Sequence, residues 1–92
     1  MIKTYKHKGL RLYYETGSKQ GIQAKHANRL RMQLVALDTA MEVSDLDIPG
    51  YTLHSMKGNR KGIWAISVSG KWRLTFEFRD GHVYLLEYED YH

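Results

Sequence analysis

The chain has 92 residues, 42% of them hydrophobic, and its 14 Lys and Arg outnumber its 10 Asp and Glu, for a formal net charge of +4. This length allows one domain with one modest core, and the absence of cysteine excludes disulfides, thiolate zinc sites and cysteine nucleophiles. No stretch reaches the roughly 18 apolar residues of a membrane span, so the sequence predicts a cytoplasmic protein without a membrane partner, and its positive charge favours an anionic partner such as nucleic acid.

The N-terminal half predicts two helices. Residues 2–5 favour a short edge strand, because lysines at an edge discourage further pairing. Residues 8–16 have apolar side chains at helical spacing and stop at Gly17, a natural C-terminal cap. A longer helix is predicted from about 23 to about 39. Its buried stripe is Ala27, Leu30, Leu34, Leu37 and Met41, and its opposite side, interpreted as solvated or as a partner surface, carries Lys25, Arg29 and Gln33.

The C-terminal half predicts four strands, at 51–56, 63–68, 72–78 and 83–88. Glycine-containing breaks around Gly70 and at Asp80-Gly81 indicate tight hairpins between the last three. Residues 72–78 alternate between apolar and polar side chains, which places Arg73 away from the core. Residues 83–88 have apolar side chains at both odd and even positions, as in a central strand covered on both sides. The sequence therefore predicts an α+β fold, with two N-terminal helices packed on a small antiparallel sheet, in a single domain spanning residues 1–92.

The end of the chain holds the side chains best suited to chemistry. If the four strands are neighbours, Asp90, Tyr91 and His92 lie near Arg73 and His54. Cleavage of RNA without a metal needs a base for the 2′-hydroxyl, cations for the phosphorane and an acid for the leaving oxygen. Histidine as a residue type titrates near neutral pH, so His92 suits proton transfer, Asp90 could orient it or accept a proton, and Tyr91 could stack on a base. His54 is a second acid, base or phosphate contact.

Phosphate-binding candidates come from a basic loop and a hairpin. Lys57, Arg60 and Lys61 lie around or between two glycines, and Lys71 follows Gly70. Together with Arg73 they could hold phosphate groups. Plainer interpretations stay open: the loop is a solvated hairpin without Walker-type spacing, the terminal histidine is only exposed, and Asp90 only pairs with a nearby cation. The five histidines show no metal-ligand spacing, so the sequence predicts neither a metal site nor a cofactor.

Taken together, segments 53–68, 71–76 and 87–92 resemble the HigB toxins of type II toxin–antitoxin systems, in the RelE superfamily. The Gly58-to-Gly62 loop, the Trp72-Arg73 pair and the terminal Asp90-Tyr91-His92 carry the resemblance. It implies a RelE-like microbial RNase fold and a metal-independent mRNA interferase, which cuts ribosome-bound mRNA in the A site by 2′-hydroxyl attack.

The resemblance also implies roles and partners. The active face would hold His54, Lys57, Arg73, Asp90, Tyr91 and His92, with His92 in proton transfer, Asp90 supporting it, Tyr91 on a base and the cations on phosphate. A cognate helix-turn-helix antitoxin is implied, whose complex with the toxin binds operator DNA; the two N-terminal helices, including Lys25 and Arg29, are its expected docking surface. Some relatives carry an arginine where this chain has Ser69, and Lys71 could supply that charge.

Two alternatives remain at this point. A basic module that binds RNA or the ribosome without cutting RNA would need Lys57 and Arg73 but neither His54 nor His92. An antitoxin-like DNA-binding module would need a helix-turn-helix, for which the loop at 18–21 is weak evidence.

Overall fold

In the computed structural model, which describes residues 1–91, two helices precede a four-stranded antiparallel sheet. The helices are α1 (Lys8–Thr16) and α2 (Ala27–Thr39). The strands, in sheet order, are β1 (His54–Ser55), β2 (Trp64–Ser69), β3 (Trp72–Arg79) and β4 (His82–Asp90). Single 3₁₀ turns occupy Ala24–His26, Val43–Leu46 and Gly58–Arg60. The predicted α+β fold, with helices packed on an antiparallel sheet, is confirmed.

Local signals define the helix ends. The backbone N–H of Leu10 donates to His7 Nδ1 at 2.9 Å, which caps the start of α1. Gly17, with φ of 83°, caps its end in the left-handed conformation, as predicted. Helix α2 ends at Thr39 as predicted, but it begins at Ala27, because the preceding turn is 3₁₀.

The two sides of α2 differ from the prediction at three positions. Met41 lies beyond the helix end and is 79% exposed, since Ala40 is already extended. Gln33 is fully buried, and its Nε2 donates to the Ser67 carbonyl at 2.7 Å. Arg29 donates to the same carbonyl at 3.3 Å and to the Gly50 carbonyl at 2.7 Å. Their assignment to a solvated side was wrong, because these polar side chains satisfy carbonyl groups facing the helix.

The strand predicted at 51–56 is shorter than expected. Only His54 and Ser55 pair with β2, because Thr52 has a φ of 51°, which breaks the extended backbone. The hairpin at Asp80-Gly81 is as predicted: both residues have positive φ, 52° and 79°.

A β-bulge explains the apolar residues at both parities of β4. The register against β3 shifts between Thr75 and Glu77, and Leu85, opposite the shift, has a φ of 54° and is exposed. The bulge turns Val83, Leu86 and Tyr88 to the same buried face. The expectation of two covered faces was therefore wrong. The predicted N-terminal edge strand is reduced to two isolated parallel bridges along β4, at Ile2 and Tyr5.

The sheet has a helix face and an outer face. Leu74, Phe76 and Tyr88 belong to the helix face and join α1 and α2 in the core. The outer face is defined by two cross-strand rows, His54-Ala65-Thr75-Glu87 and Ser67-Arg73-Glu89. Directly paired residues share a face, so the register alone places these side chains together.

Candidate active site

A carboxylate held by two arginines lies at the centre of the outer face. Arg60 donates from Nη1 to Glu89 Oε2 at 2.9 Å and from Nη2 to Oε1 at 3.0 Å. Arg73, the cross-strand neighbour of Glu89, donates to Oε2 from Nη2 at 2.8 Å and from Nε at 3.2 Å. Both oxygens of Glu89 are thus engaged in charge-assisted hydrogen bonds.

This arginine–glutamate cluster is partly shielded from water. The side chains of Arg73, Glu89 and Arg60 are 12%, 24% and 38% exposed. The hydrogen bonds from Arg60, and then those from Arg73, lower the pKa of Glu89 to about 2, against the opposing effect of burial. The same contact raises the pKa of Arg60. Glu89 is therefore an anion at any physiological pH.

The loop between β1 and β2 brings further positive charge to the outer face. Strands β2 and β3 lie between this loop and β4, so the side chain of Arg60 has to cross them to reach Glu89. Ala65 and Thr75, on the same face of these two strands, are buried at 0% and 2% exposure. The exposed Lys57 and Lys61 flank Arg60 in the same loop.

Tyr91 lies against Arg73 at the end of β4. The Arg73 guanidinium carbon is 4.1 Å from the centre of the Tyr91 ring, in cation–π contact. Tyr91 is 46% exposed, and its backbone N–H donates to the Lys71 carbonyl at 3.1 Å. The structure thus brings together four of the predicted site residues: Arg73, Tyr91, the exposed Lys71 and, through Glu89, Arg60.

Asp90 lies apart from these four residues. It pairs with Trp72, and the alternation along β4 puts it on the opposite side of the strand from Glu89 and Tyr91. Its side chain is exposed at the edge of the helix face. His92, predicted to transfer protons, lies outside the described residues.

His54 is on the outer face but distant from β4. It heads the row that ends at Glu87, three strand spacings away, or about 14 Å between backbones. Its Nδ1 is 2.8 Å from the Thr52 carbonyl. A carbonyl only accepts, so Nδ1 carries the proton in the neutral ring, and Nε2 keeps its lone pair toward solvent.

The sequence analysis missed two residues that the structure places in specific contacts, Glu89 and His26. Glu89 lies directly opposite Arg73 on the neighbouring strand, so their side chains share a face of the sheet. An acidic residue opposite an arginine on neighbouring strands predicts an ion pair. His26 is buried on the helix side, with Nδ1 2.6 Å from the Tyr88 hydroxyl and its ring edge against Trp72. Burial lowers the pKa of His26, which favours the neutral ring.

The rest of the described surface has fewer side chains suited to catalysis or ligand binding. Residues 1–91 contain no group of three or more His, Asp or Glu placed to hold a metal ion. A groove of about 510 Å³ lies between the N-terminal segment and α1, where Asp38 accepts hydrogen bonds from the Ile2 N–H and the Tyr14 hydroxyl. These bonds fasten the N-terminal segment and α1 to α2. Among the helices described, none is long and apolar enough to cross a membrane.

Comparison with known sequences adds an independent line of evidence. A family model described as the RelE-like toxin of type II toxin-antitoxin system HigB matches residues 3–92. The chain is 48% identical over 92 residues to the Endoribonuclease HigB of Proteus vulgaris, with both chains covered completely. It is 37% identical over 94 residues to Toxin HigB-1 of Vibrio cholerae serotype O1, covering 100% of this chain and 98% of that one.

Solved structures show the same fold. Two crystal structures of YafQ from E. coli, one of a variant and one unmodified, superpose with TM-scores of 0.60 and 0.54. Each covers 98% of this chain and 91% of the YafQ chain, at 18% and 14% identity. At such identities the likeness concerns the fold alone.

Proposed function

This chain belongs to the HigB group of RelE-like toxins of type II toxin–antitoxin systems, an endoribonuclease family, and we propose that it is a ribosome-dependent mRNA interferase. It would cut translated mRNA in the ribosomal A site and so stop translation and growth. The observation that carries the proposal is the outer face, where the Arg73 guanidinium lies against the exposed ring of Tyr91 at the end of β4 and the exposed Lys71 is the backbone neighbour of Tyr91. The name of the Proteus vulgaris relative supports RNA cleavage as the reaction.

The cations of the outer face suit a polyanion. Lys57 and Lys61 are exposed and flank Arg60 in the chain, and the exposed Lys71 is the backbone neighbour of Tyr91. In the cluster itself, two arginines against the single carboxylate of Glu89 leave a net positive charge. Exposed lysines neutralise phosphates and release counterions, which draws RNA to the face. Tyr91 then offers a ring on which an unstacked base can lie.

The proposed reaction is attack by the 2′-hydroxyl on the adjacent phosphate. The O2′–P bond forms and the P–O5′ bond breaks, which leaves a 2′,3′-cyclic phosphate and a 5′-hydroxyl end. A base takes the 2′-proton and an acid gives a proton to O5′, so no metal is required. His92 is proposed for proton transfer with support from Asp90, and Nε2 of His54 is free to act as a second acid or base. Lys57 stabilises the charge on the phosphorane.

A cognate helix-turn-helix antitoxin is the proposed partner, and its complex with the toxin would bind operator DNA. Membership in a toxin–antitoxin family implies the antitoxin itself. Of the two residues expected at the docking surface, Arg29 is engaged with the Gly50 and Ser67 carbonyls, and its guanidinium lies 5.2 Å from the centre of the Tyr51 ring. Lys25 is exposed, which leaves it the better candidate for contact with the antitoxin.

The test is cleavage of one message, free and on programmed ribosomes, followed by analysis of the product ends. We expect cuts only on the ribosome, with 2′,3′-cyclic phosphate ends, and no cut where a 2′-O-methyl group replaces the attacking hydroxyl. Cleavage of the 2′-O-methyl message would refute the mechanism. Binding to the ribosome complex without any cut would instead establish the non-catalytic basic module.

A further inference from the structure

Arg73 lies between a carboxylate and an aromatic ring. Its Nε and Nη2 both donate to Glu89 Oε2, at 3.2 and 2.8 Å, and its guanidinium carbon is 4.1 Å from the Tyr91 ring centre. The Arg73 side chain is 12% exposed, whereas Tyr91 is 46% exposed. Of these two side chains, the tyrosine is the one presented to solvent.

The hydrogen bonding of Arg73 limits what else it can do. Arg73 has five N–H groups; Nε and Nη2 donate to Glu89, so a bidentate contact with phosphate would have to use the Nη1–Nη2 edge of a side chain that is only 12% exposed. Lys57, Lys61 and Lys71 are exposed, so they meet phosphate at a lower desolvation cost.

We propose that Glu89 is a positioning residue, which holds the Arg73 guanidinium beneath Tyr91 and so fixes the tyrosine ring on which an RNA base stacks. Arg73 then contributes as the platform of Tyr91, and its own contact with phosphate is secondary. This inference depends on the proposed role of the outer face in RNA cleavage. The geometric part of the inference, that Glu89 holds Arg73 against Tyr91, can be tested without RNA.

The chain contains a matched control at the other end of the outer face. Glu77 Oε1 lies 3.3 Å from Arg79 Nε in an ion pair, and the Arg79 guanidinium carbon is also 4.1 Å from a tyrosine ring centre, that of Tyr84. Glu77 pairs with Tyr84 across β3 and β4. The Arg79 side chain is 59% exposed, so this second Glu-Arg-Tyr group has the same chemistry outside the proposed site.

The first experiment measures the Arg73 side-chain resonances of the free protein by NMR. A tyrosine ring stacked on a guanidinium shifts the neighbouring arginine protons upfield. We expect this shift to collapse in Glu89→Gln and to persist in Glu77→Gln. An Arg73 shift that survives Glu89→Gln in a folded spectrum would overturn the positioning role, whatever the protein does to RNA.

The second experiment compares single-turnover cleavage rates on programmed ribosomes. If Arg73 acts through Tyr91, the double variant Arg73→Ala/Tyr91→Ala is no slower than the slower single variant. If Arg73 acts alone on phosphate, the two losses multiply, and the proposal fails.

Arg73→Lys gives an independent check, because lysine keeps the positive charge but has no flat guanidinium. We expect it to lose as much activity as Arg73→Ala, and near-normal cleavage by Arg73→Lys would contradict the platform. If the wild type does not cut at all, the proposed function fails instead, and the NMR comparison still decides the geometry.

Discussion

Replacing Glu89 by Gln removes the charge that holds two arginines on the outer face and should destabilise the fold in a pH-dependent way. The pKa of Glu89 falls from 4.5 to about 2 on folding, and each unit corresponds to 1.36 kcal/mol, which gives about 3 kcal/mol. Because Arg60 is 38% exposed, solvent screening reduces this to about 1 to 2 kcal/mol. At pH 7 the melting temperature should then fall by roughly 4 to 16 °C.

The pH dependence identifies the cause of the loss. A depressed carboxyl pKa stabilises the fold above the unfolded value of 4.5, and that stability disappears as the pH falls through about 2. Urea unfolding followed by tryptophan fluorescence should therefore show a constant difference between wild type and Glu89→Gln above about pH 5, and a shrinking one below it. Glu77→Gln, in a more exposed pair, should cost under about 0.5 kcal/mol. A Glu89→Gln difference that stays constant down to pH 2 would refute the electrostatic explanation.

Three further predictions concern activity, pH and packing. Arg73→Ala should lower cleavage on the ribosome by roughly 10- to 100-fold, the scale of one lost base-stacking contact, while the circular dichroism spectrum stays native, since Arg73 lies off the core; a molten spectrum would contradict this. Burial lowers the pKa of His26, so its stabilising effect is complete above the unfolded value of 6.5 and is lost as the pH falls below it. His26→Gln should thus flatten the unfolding free energy between about pH 7 and 5, and an equally steep curve would exclude His26 as the cause. A Cβ at Gly21 would lie 2.5 Å from the Gly9 Cα, so Gly21→Ala should cost about 1 to 3 kcal/mol in thermal unfolding; an unchanged melting temperature would contradict that close contact.

The sequence predicted the parts of the fold that depend on neighbouring residues. Gly17 ends α1 and Asp80-Gly81 forms the β3–β4 hairpin because positive φ is a local requirement. The period-two pattern of β3 correctly placed Arg73 away from the core. These features need no knowledge of distant segments.

The local sequence pattern could not reveal the features that depend on how distant segments pair. Without the bulge at Leu85, Val83 would share the outer face with Glu87 and Glu89, and nothing local to that strand reveals the extra residue. Gln33 looked like a surface residue because its partner, the Ser67 carbonyl, belongs to a strand 34 positions away.

The sequence predicted only in part which candidate residues lie together, because this too depends on strand register. Tyr91 and Arg73 do meet, as the order of the strands requires, but alternation puts Asp90 on the other side of β4. Glu89 was overlooked because it was treated as part of a strand end, although its parity matches that of Arg73.

The most direct test of the account is which face of the protein meets the message. Lys57 is exposed in the loop whose Arg60 side chain reaches across the outer face to Glu89, and Lys19 is exposed in the connection between the two helices, so each change to alanine removes one surface charge. Primer extension on programmed ribosomes should show cleavage reduced by at least about 10-fold in Lys57→Ala and unchanged in Lys19→Ala. Equal losses in both variants, or a loss confined to Lys19→Ala, would contradict the assignment of the outer face as the RNA-cleaving surface.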